Sequence, residues 1–187
     1  MKTLTALFFT TLILTVASGT ANANPVPGPF IKVYFDEGLL YDQTDCPGPR
    51  LDTLYVVAEY FGSYIGGVEY WIWYPSSMTF VADVVPYSDP VITGQSNYGI
   101  KITYTSPIIG NPYTVVLQHV LVQWNCGGCD FCRQIVEVAP NLWTGYLKIF
   151  RWPDMTGVIV EGETSVVCPC VGTQQTTWGN VKALYTR

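Results

Sequence analysis

The sequence holds one histidine, His119, and little charge: 9 Lys and Arg against 14 Asp and Glu in 187 residues. Each scarcity removes a class of function. A Ser-His-Asp triad would have to run through His119, which lies among Val115, Leu117 and Leu121 on a strand face that reads as core. The stretch "GQSNYG" lacks the serine spacing of a nucleophile elbow. The glycine pairs Gly66–Gly67 and Gly127–Gly128 read as turn glycines, not a phosphate-binding loop. No pair of carboxylates is singled out for glycoside cleavage. The expectation is therefore a protein that is not an enzyme and carries no cofactor. A net charge of −5 argues against nucleic acid or an anionic membrane surface as partner. Acids do cluster: Asp36, Glu37, Asp42, Asp45, Asp52, Glu59 and Glu69 share their stretch with one base, Arg50. Asp-x-Asp spacing is missing there, so the stretch reads as a solvated acidic edge rather than a calcium loop.

Long apolar runs are missing as well. The N-terminal run Leu4–Val16, behind Lys2, has the length of a signal-peptide core and is too short to span a membrane. Ala21 and Ala23 stand where a signal peptidase reads small residues. The expected order is a signal peptide over 1–23 cleaved after Ala23, a β-sandwich domain over 24–172 and a tail over 173–187. No cysteine stands at the cleavage site to carry a lipid, and "VKALYTR" offers no apolar anchor. The chain is expected to be secreted or periplasmic, with no membrane span in its mature form.

Six cysteines, Cys46, Cys126, Cys129, Cys132, Cys168 and Cys170, are an even number in an exported chain, the usual setting for disulfides. Two other chemistries compete for the Cys126–Cys132 cluster. Structural zinc needs four thiolates, but Cys168-Pro-Cys170 departs from the paired Cys-x-x-Cys knuckles such sites favour. Thiol–disulfide exchange suits the Cys-x-x-Cys spacing of Cys126 and Cys129, but those centres place the first cysteine at a helix N-terminus, and "DFCRQIVEVAP" continues as a strand pattern. Disulfides are the favoured reading. The expected connections run from Cys168 or Cys170 back to the 126–132 loop, with Cys46 joined elsewhere. Each bridge adds roughly 2–4 kcal/mol by restricting the unfolded chain.

What the sequence has in quantity is alternation. In "IKVYFD", Ile31, Val33 and Phe35 face one way; in "YGIKITYT", Ile100, Ile102 and Tyr104 do. "LDTLYVVAEYF" and "YTVVLQHVLVQW" are apolar on both faces. "VEYWIWY", "MTFVAD", "QIVEVA", "GYLKIF" and "GVIVEG" are further strands, and Pro and Gly fill the gaps between them. Helical spacing does not persist over three turns anywhere in the domain. The pattern predicts an all-β, antiparallel two-sheet β-sandwich of immunoglobulin-like kind. The tail "TTWGNVKALYTR" predicts a short helix or an extended segment, capped at Thr176 or Thr177, with Trp178, Val181, Leu184 and Tyr185 on one side.

Alternation also places Glu69, Trp71 and Trp73 on one face of their strand, opposite Tyr70, Ile72 and Tyr74. The two tryptophans would stand roughly 7 Å apart, a spacing that suits stacked sugar rings. The competing reading is that a loop or the Trp178 tail covers this face.

"VYFDEG", "GGVEYWIWYP" and "TTWGNVKALY" resemble marks of a group of exported bacterial proteins that end in a Thr-Trp-Gly…Lys-x-Leu-Tyr motif. That group is similar in outline to cohesin-like and carbohydrate-binding-like sandwiches. The resemblance implies a fold and export; it brings no established activity and no catalytic residues. Taken together, the expectation is a secreted, disulfide-stabilised, non-catalytic binding, adhesion or structural module whose partner is an extracellular glycan or a surface protein.

Overall fold

Alternating side chains sort into two stacked sheets in a computed structural model that describes residues 28–45, 47–109, 114–125 and 134–167. The signal segment, all six cysteines with their disulfide, zinc and redox readings, and the tail 173–187 lie outside the described residues. The strands among those residues are β1 (Phe30–Tyr34), β2 (Gln43–Thr44), β3 (Leu51–Glu59), β4 (Ile65–Trp73), β5 (Met78–Val84), β6 (Val91–Gln95), β7 (Gly99–Ile108), β8 (Thr114–Trp124), β9 (Gln134–Ala139), β10 (Lys148–Arg151), β11 (Gly157–Ile159), β12 (Glu161–Gly162) and β13 (Thr164–Val167).

The smaller sheet runs β12-β1-β3-β8-β5. The larger runs β11-β10-β4-β9-β13-β2, with β7 on the free side of β4 and β6 outside β7. The protein is thus an all-β sandwich, as its alternation predicts. Its pairs are antiparallel except for two short parallel ones, β1 with β12 and β2 with β13. The sequence signal misses β2, β6 and β13 and merges β11 with β12. β2 and β12 are only two residues long and β6 is exposed along its whole length, so these show no buried face to a pattern search; β13 does alternate, but over four residues and with Ser165 as one of its two buried positions.

Ile31, Val33, Leu54, Val56, Leu117 and Val122 from the smaller sheet meet Val68, Tyr70, Ile72, Ile100, Ile102, Val136 and Ile149 from the larger. Each fully buried aliphatic side chain here stabilises the fold by roughly 1.5–3 kcal/mol relative to exposure. No helix among the described residues is long and apolar enough to cross a membrane.

One expectation is overturned inside β8. Val56 pairs with Gln118 and Val57 with Val116, leaving Leu117 as an extra residue in a bulge. The bulge reverses the alternation. Val115 and Leu117 point inward before it; Gln118, Val120, Val122 and Trp124 do so after it. His119 consequently leaves the core and packs edge-on against Tyr55, ring centroids 5.0 Å apart.

The same reversal brings a polar group inside. Gln118 Nε2 donates to Asp83 Oδ1 at 2.6 Å, and the Ser96 amide donates to Asp83 Oδ2 at 2.9 Å. Tyr74 Oη and Ser96 Oγ lie 3.1 Å apart. Asp83 on β5 thereby ties the smaller sheet to the β6–β7 turn of the larger. Burial raises its pKa, against the pull of the hydrogen bonds from Ser96 and Gln118.

Candidate binding face on the larger sheet

Tyr70 and Ile72 fill the core side of β4, which sends Glu69, Trp71 and Trp73 outward. Strand register extends this outer face into a row: Lys148 on β10, Glu69 on β4, Lys101 on β7 and Thr93 on β6 stand side by side.

Glu69 faces outward yet is only 5% exposed. The cover comes from the loop 140–147 between β9 and β10, whose Thr144 hydroxyl donates to the Glu69 carboxylate. That loop is held by its own polar groups. Asn141 Oδ1 accepts from the Trp143 amide at 2.9 Å, and Asn141 Nδ2 donates to the Ile100 carbonyl at 3.2 Å. Trp143 Nε1 donates to the Tyr98 carbonyl at 2.8 Å, and the Gly145 amide to the Asn141 carbonyl at 2.8 Å. Trp143 is left 80% exposed on a fixed loop.

Glycine makes the facing wall. Gly99 has φ +118°, and a Cβ there would come within 2.6 Å of Asn141 Oδ1 and 3.0 Å of Trp143 Cδ1. Gly94, at φ +81°, lies against the Gly99 carbonyl. A pocket of about 220 Å³ opens between this hairpin and the loop, lined by Glu69, Thr93, Gly94, Gly99, Lys101, Asn141, Trp143 and Thr144.

The expected tryptophan pair is on this face but not equally open. Trp71 is half-buried, its Nε1 donating to the Asn97 carbonyl at 3.0 Å, whereas Trp73 is 43% exposed. Trp143, Tyr98, Asn141 and Thr144 were not signalled by alternation. The available clue was an aromatic inside the turn-rich stretch "PNLWTG", where no strand face exists for it to fill. The cations of the row rest on rings: Lys101 Nζ is 5.3 Å from the Phe150 centroid and Lys148 Nζ 3.4 Å from that of Tyr146. Neither has an ion pair among the described residues.

Several acids of the acidic stretch have local partners. Asp42 pairs with Lys32, Asp52 with Arg50, and Tyr34 donates to Glu59. Among the described residues no three His, Cys, Asp or Glu side chains come together to hold a metal ion.

No protein-family model matches the chain, and no curated protein matches it. Solved structures do match its fold. A cohesin module of a Clostridium perfringens family 33 glycoside hydrolase is similar at 8% identity and TM-score 0.51, over 77% of this chain and 98% of that one. The third ScaB cohesin of R. flavefaciens, solved in complex with a group 1 dockerin, matches at 8% identity and TM-score 0.50, over 78% and 96%. The sixth cohesin of Acetivibrio cellulolyticus scaffoldin B, in complex with a Cel5 dockerin, matches at 10% and 0.50, over 76% and 99%. At such identities the likeness establishes a cohesin-like β-sandwich and nothing finer.

Proposed function

We propose that this chain is an exported, non-catalytic binding module that engages a surface protein through the outer face of its larger sheet. One observation carries the reading: Trp73, Tyr98, Trp143 and Tyr146 are exposed on a face whose loop is already fixed by hydrogen bonds, beside two lysines that lack an ion pair among the described residues. Exposed aromatics on a pre-organised surface are the composition of binding hot spots. The likeness to cohesins solved with dockerins supports a protein partner. So does the state of the pocket's polar groups. Glu69 and both ends of the Asn141 amide already have partners, which leaves little for sugar hydroxyls. In this reading the signal peptide 1–23 directs export and the six cysteines are staples rather than zinc ligands or redox groups.

A photo-crosslinking amino acid placed at Trp143 or at Tyr55, on the outer face of the smaller sheet, tests it in the native host. A defined protein adduct from position 143 and none from position 55 is expected. Adducts from both positions alike, or retention on cell-wall polysaccharide that Glu69→Ala and Trp73→Ala abolish without any protein adduct, would replace this reading with the glycan one.

A further inference from the structure

The larger sheet's pocket has a counterpart on the same chain. The loop from β1 to β2 carries three acids, Asp36, Glu37 and Asp42, and no base, and Asp45 follows just beyond β2. At its tip Leu40 is 75% and Tyr41 62% exposed. The tip is held in place. Asp36 Oδ1 accepts from the Leu40 amide at 3.0 Å and from the Tyr41 amide at 2.7 Å, and the Phe35 amide donates to the Tyr41 carbonyl at 2.9 Å. Two large apolar side chains are thus presented outward; Asp36 is taken up by the tip's own amides and Asp42 by Lys32, which leaves Glu37 and Asp45 as the nearby acids without an ion pair among the described residues.

The pocket offers the complement. Its walls are the Trp143 ring, two glycines and the stem of Lys101, and its buried polar groups are engaged. Its volume of about 220 Å³ lies below the roughly 300–1,000 Å³ of small-molecule sites and suits a single side chain. The charges beside it that reach solvent, Lys101 and Lys148, are both positive and lack an ion pair among the described residues. Within one molecule the two features cannot meet. The loop is tied to the β2 end of the larger sheet, where the Val166 amide donates to the Asp42 carbonyl at 2.9 Å, while the pocket lies at the β6–β7 end. The chain's own tail fits poorly: residues 168–187 carry Lys182 and Arg187 and no Asp or Glu.

We infer that the Leu40–Tyr41 tip of one copy docks in the Gly94–Gly99–Trp143 pocket of a second copy, joining molecules head to tail. The inference rests on the binding-face reading and names its partner. Unlike surfaces joined in this way leave a free tip and a free pocket at the ends, so assembly continues into a ring or a filament.

Sedimentation velocity on the exported chain, up to about 1 mM at low salt, tests it, since so small a contact belongs at the weak end of the affinity scale. Species larger than a monomer should grow with concentration and diminish with salt. Leu40→Asp and Trp143→Ala, both at exposed positions, should each weaken association at least tenfold. Mixed together, the two variants should form a one-to-one pair that grows no further, because one retains a pocket and the other a tip. A second acceptor variant, Lys101→Glu, should reproduce the effect of Trp143→Ala. A monomeric wild type, or association that survives Leu40→Asp, overturns the inference. If the wild type is monomeric while position 143 still crosslinks a different protein, the binding-face reading stands and only the self-docking falls.

Discussion

The two outer faces of the sandwich are built from similar residues and end in opposite states. On the smaller sheet the charges of the central strands β1 and β3 have found partners. Lys32 Nζ is 2.6 Å from Asp42 and 3.5 Å from Glu163, Arg50 meets Asp52 at 2.8 Å, Tyr34 donates to Glu59, and His119 rests on Tyr55. Burial alone would lower the Lys32 pKa; the hydrogen bond and charge of Asp42, reinforced by Glu163, outweigh it and raise it. On the larger sheet Lys101 and Lys148 lie over rings, with no carboxylate paired to either among the described residues, and Trp143 stands in solvent on a rigid loop. A face whose polar groups are paired within the chain contributes to stability; a face whose groups lack partners is free to bind. Composition alone does not separate the two. Pairing does.

The difference can be broken from the inside first. Asp83→Ala strands the Gln118 amide and the Ser96 N–H between the sheets, and should cost about 2–3 kcal/mol in chemical denaturation, more than any polar substitution on either outer face. The gentler Asp83→Asn exposes a pH signature. Because burial raises the Asp83 pKa above 3.8, the folded chain holds that proton more tightly than the unfolded chain. Stability relative to Asp83→Asn should therefore fall as pH rises through 3.8 towards the folded-state value, and level off once the folded carboxyl has ionised. Urea titrations of both proteins across the acid range would show it, and parallel profiles would refute the assignment.

On the smaller sheet, Lys32→Ala leaves Asp42 and Glu163 without their shared cation. It should lower stability by roughly 1–2 kcal/mol, the half-buried position placing it above an ordinary surface pair. Crosslinking of a different protein from position 143 should remain. Trp143→Ala on the larger sheet should do the reverse, with stability changing by about 0.5 kcal/mol or less while head-to-tail association, read by sedimentation, is lost. The smallest effect belongs to His119→Ala, which removes one half-buried ring contact worth about 0.5–1 kcal/mol and should leave binding untouched. A binding loss at Lys32 equal to that at Trp143 would erase the distinction between the faces.

The legibility of the sequence follows the range of the interactions involved. Strands with one wet face, such as Ile31–Val33 and Ile100–Tyr104, announce themselves because burial repeats every second residue. Alternation likewise puts Glu69, Trp71 and Trp73 together on one side of β4. It fails at His119, because the bulge at Leu117 belongs to the pairing of β8 with β3 and not to β8 alone.

Period-two burial and the scarcity of charge were enough to specify a layered all-β chain, since a strand's inner and outer sides are written residue by residue. The pocket was decided only by folding. Glu69 and Thr144 are 75 residues apart, and Gly99, Asn141 and Trp143 meet across a hairpin and a loop that carry no periodic signal. Which tryptophan stands free, and which lysine lacks a carboxylate, depends on strand order, and strand order is a property of long-range pairing that local alternation does not encode.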